Sequence, residues 1–340
     1  MNPPVATGLD HPLVVRAREI ADDVLFRDAV EVDRTGHVPQ EHWDLLAREG
    51  FYGLAKEGAP ELPGLVAILE ALFGGCLSTA FTWVQHQGAV FGLTHSKNTE
   101  LRDAYLPDML AGRAKAGVAF AGALADPPRL RAHPDGEGYL LDGDAPFVSG
   151  WGVIDVLSVS AVDPDGNVVS GLIDAREADG LSVTPLDLLA GQGTATVRLQ
   201  FDDFPLPAGR VISVAPLAGF AAFQTFGSRL NASLACGVAD RAIRLLPDSA
   251  AEAATTLRRS LDETRTALDG GLADPATLPA ARAAASDLAL RAAGALFAAT
   301  GSTAMDPAGH PSRLLREAAF SLVAASRPEM RALLVDRLAD

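Results

Sequence analysis

From His11 to about Leu110, apolar residues recur at helical spacing, and Gly and Pro divide them into separate segments. VVRAREIADDVLFRDAVEVDR predicts one helix. PQEHWDLLAREGFYGL predicts a second, with Pro39 near its first turn and Gly50 near its end; LPGLVAILEALFGGC, STAFTWVQHQGAVFGLTH and NTELRDAYLPDMLAG follow. From Lys115 to about Val211 the period shortens. Runs such as GVAFAGALA, VVSGLID, LSVTPL and ATVRLQFDDFPLP are separated by DGEG, DGD, DPDGN and ADG, which predicts a compact antiparallel barrel or sandwich. The helical period returns from about Leu217 to the end, broken by DGGLADPATLP and by a MDPAGHPS loop. No repeat of ~20 to 50 residues and no low-complexity tail interrupts this order.

The stretch YLLDGDAPFVSGWGVIDVLSVS, 139–160, carries the densest set of local signals. Asp142-Gly143 favours a turn with positive φ, so the pattern predicts a β-hairpin feeding a tight FVSG corner and then an apolar strand. At that corner Phe147 offers an aromatic face, Ser149 a hydroxyl, and Gly150 a backbone without a side chain. Such a corner can hold a flat ligand.

Composition narrows the partners. The 340 residues are 48% apolar, enough for two or three packed units with a sizeable core. No apolar run reaches the ~18 to 20 residues needed to cross a bilayer, and the start MNPPVATGLDHPLVV has no basic segment ahead of a long apolar one, so a cytoplasmic protein is expected. With 28 basic against 43 acidic residues the net charge is −15, which argues against nonspecific binding to nucleic acid or to an anionic membrane. Cys76 and Cys236 are far apart and lack metal-ligand spacing, so neither a disulfide framework nor a zinc site is predicted. The chain has no P-loop, Rossmann fingerprint, H-E-x-x-H or G-x-S-x-G.

Helices, then strands, then helices is an uncommon order. Five fragments in that order resemble the acyl-CoA dehydrogenase family. HVPQEHWDLLAREGFYGL is similar to its P-x-x-x-W-x-x-L-x-x-x-G-x-x-G-L segment, and LRDAYLPDMLAGRAKAGVAF to its K-x-x-Y-L-P-x-L-x-x-G run. YLLDGDAPFVSG is similar to Y-x-L-N-G-x-K-x-W-I-[TS]-[NG]-G, AGQGTATVRLQFDDFPLPAGRVI to G-x-R-G-T-x-x-x-x-x-F-D-D-x-x-V-P, and HPSRLLREAAFSLV to the final R-L-x-R-D-A helix. The resemblance covers nearly the whole chain. It implies an α+β multi-domain fold: an N-terminal α-helical domain (1–113), a middle antiparallel β-barrel domain (114–212) and a C-terminal α-helical bundle domain (213–340).

It also implies FAD, held against the β domain by Phe120, Gly122, Ala123, Phe147 and Ser149, with Gly301 surviving from a glycine-rich segment that reads here as FAATGST. Backbone amides at such a corner stabilise charge that accumulates on a reduced flavin. Without the resemblance, Phe147 reads as a barrel side chain and Ser149 as a turn residue. The family's T-E-P-x-x-G-S-D loop appears as GALADPPRLRA, and its R-x-x-F-G motif is missing where DRAIRLLPDSAAEAATTL runs. An anionic diphosphate needs amides or cations nearby, so FAD is expected to be weakly held or lost.

Dehydrogenation of an acyl thioester needs a carboxylate to take the α-proton. Aligning RLLREA on R-L-x-R-D-A puts Ala325 at the family's glutamate; the alternative family position, just before the helix arginine matched by Arg229, holds Ser228. Glu329, one helical turn beyond Ala325, is a candidate shifted base or else a solvated surface residue. Related flavin-dependent monooxygenases of the same fold favour S-G at the corner and place histidines near the substrate. His86 matches such a position, or else fills a hydrogen-bonding need among helices. Arg229 reads either as a residue near substrate or as an ion pair between helices.

The expected function is an acyl-CoA dehydrogenase-like FAD-dependent oxidoreductase acting on an acyl thioester, bearing CoA or an acyl carrier, or on a related small molecule. The alternatives are a flavin-dependent monooxygenase and a non-catalytic, cofactor-free descendant acting as a binding or partner subunit. Apolar helices such as LALRAAGALFAATG predict self-association as a homodimer or homotetramer.

Overall fold

The computed structural model describes residues 8–325 and 328–339, apart from the side chains of 221–225. Helices α1 (Pro12–Ile20) and α2 (Phe26–Thr35) run on through a π-helical turn, Ala21–Leu25, as the single long helix the periodicity predicts. The start is fixed by Pro12 in the first turn and by the His11 ring accepting the Leu13 amide; the end is fixed by Gly36 at φ +68°. Then come α3 (Gln40–Arg48), α4 (Leu62–Gly75), α5 (Leu77–Thr94) and α6 (Thr99–Leu110), the last capped by the Asn98 side chain on the Leu101 amide.

Eight strands follow: β1 (Ala116–Ala119), β2 (Leu130–Asp135), β3 (Gly138–Val148), β4 (Val156–Val162), β5 (Asn167–Asp174), β6 (Leu181–Pro185), β7 (Val197–Leu206) and β8 (Val211–Pro216). They form one sheet in the order β6-β7-β3-β2-β4-β5-β8, with β1 pairing off this path to β4. Most neighbours are antiparallel, as expected, but β1–β4 and β2–β4 are parallel, so the sheet is mixed. The reason is connectivity: β1 arrives from α6 rather than from a hairpin, and can lie alongside β4 in the same direction.

One local prediction is overturned. Asp142-Gly143 is not a hairpin turn; both residues lie inside β3, and the hairpin between β2 and β3 turns at Gly136, pairing Asp135 with Gly138. Gly143 sits at φ +112° where the pairing with β7 slips, and a Cβ there would stand 2.0 Å from the Arg129 carbonyl oxygen. A glycine with positive φ serves a bulge as readily as a turn.

The C-terminal helices are α7 (Leu217–Arg244), α8 (Ala251–Ala273), α9 (Leu278–Thr300), α10 (His310–Val323) and α11 (Pro328–Ala339). Helices α7 to α10 share one apolar core with α1 to α5, which includes Trp43, Leu72, Phe73, Val238, Leu288 and Leu314, while Met330 and Leu334 of α11 pack with Ala283 in a separate small cluster. Each such side chain contributes roughly 1.5–3 kcal/mol by leaving water. The sheet has a separate core built on Leu141, Leu157, Leu199 and Phe201, and a smaller cluster of α5 and α6 residues against Val156, Leu172 and Ile212 joins sheet to helices. The apolar helix α9 is covered within the chain itself: Ala285, Leu288, Ala289, Ala292 and Leu296 are all buried.

Candidate functional site

The corner after β3 is held by two left-handed residues and by cross-strand amides. Phe147 (φ +56°) and Ala195 (φ +45°) are L-residues in a conformation that costs about 1–2 kcal/mol each. Phe147 lies where the β3–β7 register shifts between Ala145 and Val148, and Ala195 lies in the turn just before β7. The Gly150 amide donates to the Thr194 carbonyl at 2.7 Å and the Trp151 amide to the Ala195 carbonyl at 3.2 Å. This stitching turns the Phe147 ring outward, 66% exposed, while Ser149 is buried behind it.

The corner opens onto a recess of about 500 Å³ between the sheet and the helices. Phe120 and Ala121, beyond β1, form one side with Pro146, Phe147 and Ser149. Leu188, Leu189 and Ala190 come from the β6–β7 connection, and Gln85 and Asn231 from α5 and α7. The opposite wall is the end of α10, Phe320 and Val323 to Ala325, with Arg331 of α11. Phe81 and Phe320 meet edge to face across α5 and α10, with centroids 5.2 Å apart, which makes that wall rigid and apolar. Among the described residues the lining carries no Asp, Glu or His. It can enclose a flat apolar ring and offer it hydroxyl, amide and backbone groups; it offers no carboxylate to take a proton.

Three hydroxyls run inward from the recess. Ser149 Oγ lies 2.7 Å from Thr196 Oγ1, which lies 2.6 Å from Thr194 Oγ1. Ser149 and Thr196 line the recess, whereas Thr194 is fully buried behind them.

The residues expected at the cofactor separate into two groups. Phe120, Phe147 and Ser149 line the recess. Gly122 and Ala123 are buried just beyond it; Gly122 accepts the Arg129 amide, and a Cβ on it would stand 2.5 Å from the Asp144 carbonyl oxygen, so close packing on β3 explains the glycine. Gly301, at φ +74° and ψ −155°, ends α9 in a conformation suited to glycine and does not line the recess.

The three residues expected to carry chemistry lie outside the lining. His86 is buried, its Nδ1 accepting the Ala116 amide at 2.9 Å and its Nε2 donating to the Met109 carbonyl at 3.2 Å, with Tyr52 packed edge-on. Burial pulls its pKa down to about 4, so the ring is neutral near pH 7. Arg229 is buried between α7 and α8, donating through Nε to Asp269 at 2.7 Å. It belongs to a charged layer completed by Glu70 and Arg265, 2.6 Å apart, and it is the ion-pair alternative that the structure displays. Glu329 is exposed and faces a separate cavity of about 60 Å³ with Ser228 and Arg282.

Both family positions for the base nevertheless converge. Arg282 of α9 donates to the carbonyls of Ala324 and Ala325 at 3.3 and 3.1 Å and reaches Ser228 Oγ at 3.4 Å. Ala325, at φ +50°, is the wall shared by the recess and the small cavity. A buried guanidinium thus holds the turn where the resemblance places a glutamate. Neither Arg282 nor the Leu188–Ala190 wall stood out in the sequence, because each becomes part of the site only through long-range packing. The charged neighbour of the corner, Arg129, pairs with Asp144 at 2.6 Å.

Comparison with known proteins agrees with this architecture. Residues 11–113 match the family model described as acyl-CoA dehydrogenase, N-terminal domain. A probable acyl-CoA dehydrogenase, fadE25, of Mycobacterium leprae is 28% identical over 217 residues, 60% of this chain and 55% of that protein. An L-evernosamine nitrososynthase of a Micromonospora species is 28% identical over 263 residues, 70% of this chain and 62% of that protein. The matched stretch thus spans about half the length of the fadE25 relative. Among solved structures, a glutaryl-CoA dehydrogenase from Mycobacterium smegmatis in complex with FADH2 superposes with a TM-score of 0.82, 16% identity and coverage of 96% of this chain and 93% of that one. Residues 11–113 thus match the acyl-CoA dehydrogenase N-terminal domain, and the chain as a whole, helices then sheet then helices, has the acyl-CoA dehydrogenase fold.

Proposed function

We propose that the recess seats the ring system of FAD and that the protein is a flavin-dependent oxidoreductase acting on a small substrate. The observation that carries this reading is that the Phe147–Ser149 corner opens onto a recess of about 500 Å³ rather than being filled by the protein's own side chains. That volume lies within the ~300–1,000 Å³ typical of cofactor and ligand sites. Phe120, Phe147 and Phe320 supply flat apolar walls, and Ser149, Gln85 and Asn231 supply polar contacts. The bound flavin would contribute the redox chemistry itself, accepting or donating electrons and hydride. The protein would position the ring and exclude water from it.

The substrate class follows from what the walls lack. Removal of an α-proton from an acyl thioester calls for a carboxylate within hydrogen-bond reach, and Ala325 and Ser228 stand at both family positions for it. The lining favours oxidation of a small molecule without that step, the monooxygenase type of chemistry. A relative named as a nitrososynthase is in keeping with a small amine as substrate. We assign His86 to the scaffold in this reading, since both of its nitrogens are bound to backbone.

A cofactor-free binding protein is the second reading, favoured by one observation: Arg331 is the single cationic residue among the described lining residues, a sparse provision for a diphosphate. Self-association as a homodimer or homotetramer accords with the exposed apolar side chains Met305, Val323 and Val335.

Titration of the purified protein with FAD separates the readings. The flavin reading expects a shifted visible band and thermal stabilisation, about 2.7 kcal/mol at a hundredfold excess over Kd; neither response would leave the binding-protein reading. With flavin bound, bleaching by a panel of acyl-CoA thioesters would overturn the monooxygenase preference. Bleaching only by reduced nicotinamide or a reductase would support it.

A further inference from the structure

Three hydroxyls can be joined in two directions, and burial selects one. Thr194 is fully enclosed, and its Oγ1 has a single hydrogen-bonding partner among the described residues, Thr196 Oγ1 at 2.6 Å. A buried hydroxyl proton without an acceptor costs ~1–3 kcal/mol. The Thr194 proton therefore goes to Thr196. Thr196 then has one remaining contact for its own proton, Ser149 Oγ at 2.7 Å. Ser149, having accepted that bond, keeps its proton for the recess it lines. In the reverse direction the last proton of the chain would be stranded on Thr194, inside the protein.

We propose that Thr194 and Thr196 are positioning residues that set Ser149 as a hydrogen-bond donor into the recess, so that an acceptor atom of the seated ring meets a donor already polarised from behind. The inference rests on the flavin reading above and extends it to a residue that does not touch the recess. Successive bonds in such a chain strengthen one another by roughly 10–30% each. The relay is also anchored in the backbone: the Thr194 carbonyl accepts the Gly150 amide at 2.7 Å, so the segment bearing the first hydroxyl is tied to the segment bearing the last.

The test uses the full-length protein loaded with FAD and reads flavin affinity, the visible absorption band and the midpoint potential for wild type, Thr194→Val, Thr194→Ser, Ser149→Ala and the S149A/T194V double variant. A weaker donor stabilises an electron-rich ring less, so T194V should lower the potential and weaken FAD binding about two- to threefold, while T194S, which keeps the hydroxyl, restores wild-type values. S149A should weaken binding about five- to tenfold, and T194V should add nothing in the S149A background, because Thr194 acts only through Ser149. An unchanged potential in T194V, or an effect that adds in full to that of S149A, would overturn the relay and leave the flavin reading standing. Failure of the wild type to bind FAD would overturn the flavin reading and the relay's role with it. Should T194V not fold, Thr194→Cys, close in volume and a weaker donor, makes the same comparison.

Discussion

The imidazole of His86 accepts the amide of Ala116 at 2.9 Å, tying the middle of α5 to the first residue of β1, while its other nitrogen donates to Met109 at the end of α6. This pair of bonds fixes where the sheet begins relative to the helices that wall the recess. The ring must be neutral to accept from an amide, and burial holds its pKa near 4 against 6.5 for a free histidine.

The sign of the pH dependence follows. Between pH 6.5 and 4 the unfolded chain binds a proton at this position that the folded chain does not, so His86 contributes stability that is complete above pH 6.5 and lost as pH falls toward 4. The loss should reach about 3 kcal/mol at pH 4. His310, half-buried beside Arg313 and also lowered to about 4, acts in the same direction. The check is denaturant unfolding of wild type and His86→Gln from pH 7 to 4: the difference between them should shrink as pH falls, and parallel profiles would refute the assignment.

Gly143→Ala should destabilise the protein more than Gly136→Ala. At Gly136, φ is +58° and nothing lies within 4 Å of an added Cβ, so only the left-handed penalty of about 1 kcal/mol applies. At Gly143 the Cβ would collide with the Arg129 carbonyl as well, for a total of about 3 kcal/mol or more. Thermal or urea unfolding of both variants decides; equal losses would mean that β2 and β3 can separate at this point without cost.

The contrast between these glycines shows what the sequence could reveal. The helices were readable because their signals are local: apolar residues every three or four positions, with Pro39 near the start of one helix and Gly50 just past its end. The Phe147 and Ser149 corner was readable too, because an aromatic and a hydroxyl lie two residues apart beside a glycine. Asp142-Gly143 misled because the preference for positive φ is shared by turns and bulges, and the deciding fact, the approach of Arg129 to Gly143, is set by a residue fourteen places away along the chain. Thr194 and Thr196 passed unnoticed within the AGQGTATVRLQ run; their alignment with Ser149 depends on how the turn before β7 packs against the residues that follow β3. The Arg282 clamp on Ala324 and Ala325 likewise joins helices far apart in sequence.

Arg313 and Glu317 form a fully buried pair at 2.6 Å, one turn apart on α10, with the guanidinium also over the Phe26 ring. Removing one partner strands the other's polar group in the core. Arg313→Met and Glu317→Leu should each cost about 3–5 kcal/mol, and the double variant should be more stable than either single one. Urea midpoints at constant m-value provide the measurement. A double variant worse than both singles would show that the pair is net stabilising beyond its mutual compensation.

Phe147 tests the trade between strain and binding. Its positive φ costs about 1–2 kcal/mol in a residue with a Cβ, and its ring is mostly in water, so little burial offsets that cost. Phe147→Gly removes the strain and gives back about 0.5–1 kcal/mol through the greater freedom of glycine in the unfolded chain. The variant should therefore be as stable as wild type or up to about 1 kcal/mol more stable. If the ring is kept at this strained position to face a ligand in the recess, FAD affinity should fall in the same variant by about tenfold, the worth of an aromatic contact. Stability from urea unfolding and affinity from flavin titration should thus move in opposite directions. A joint fall would place Phe147 in the architecture of the corner instead, and unchanged affinity would remove it from the binding surface.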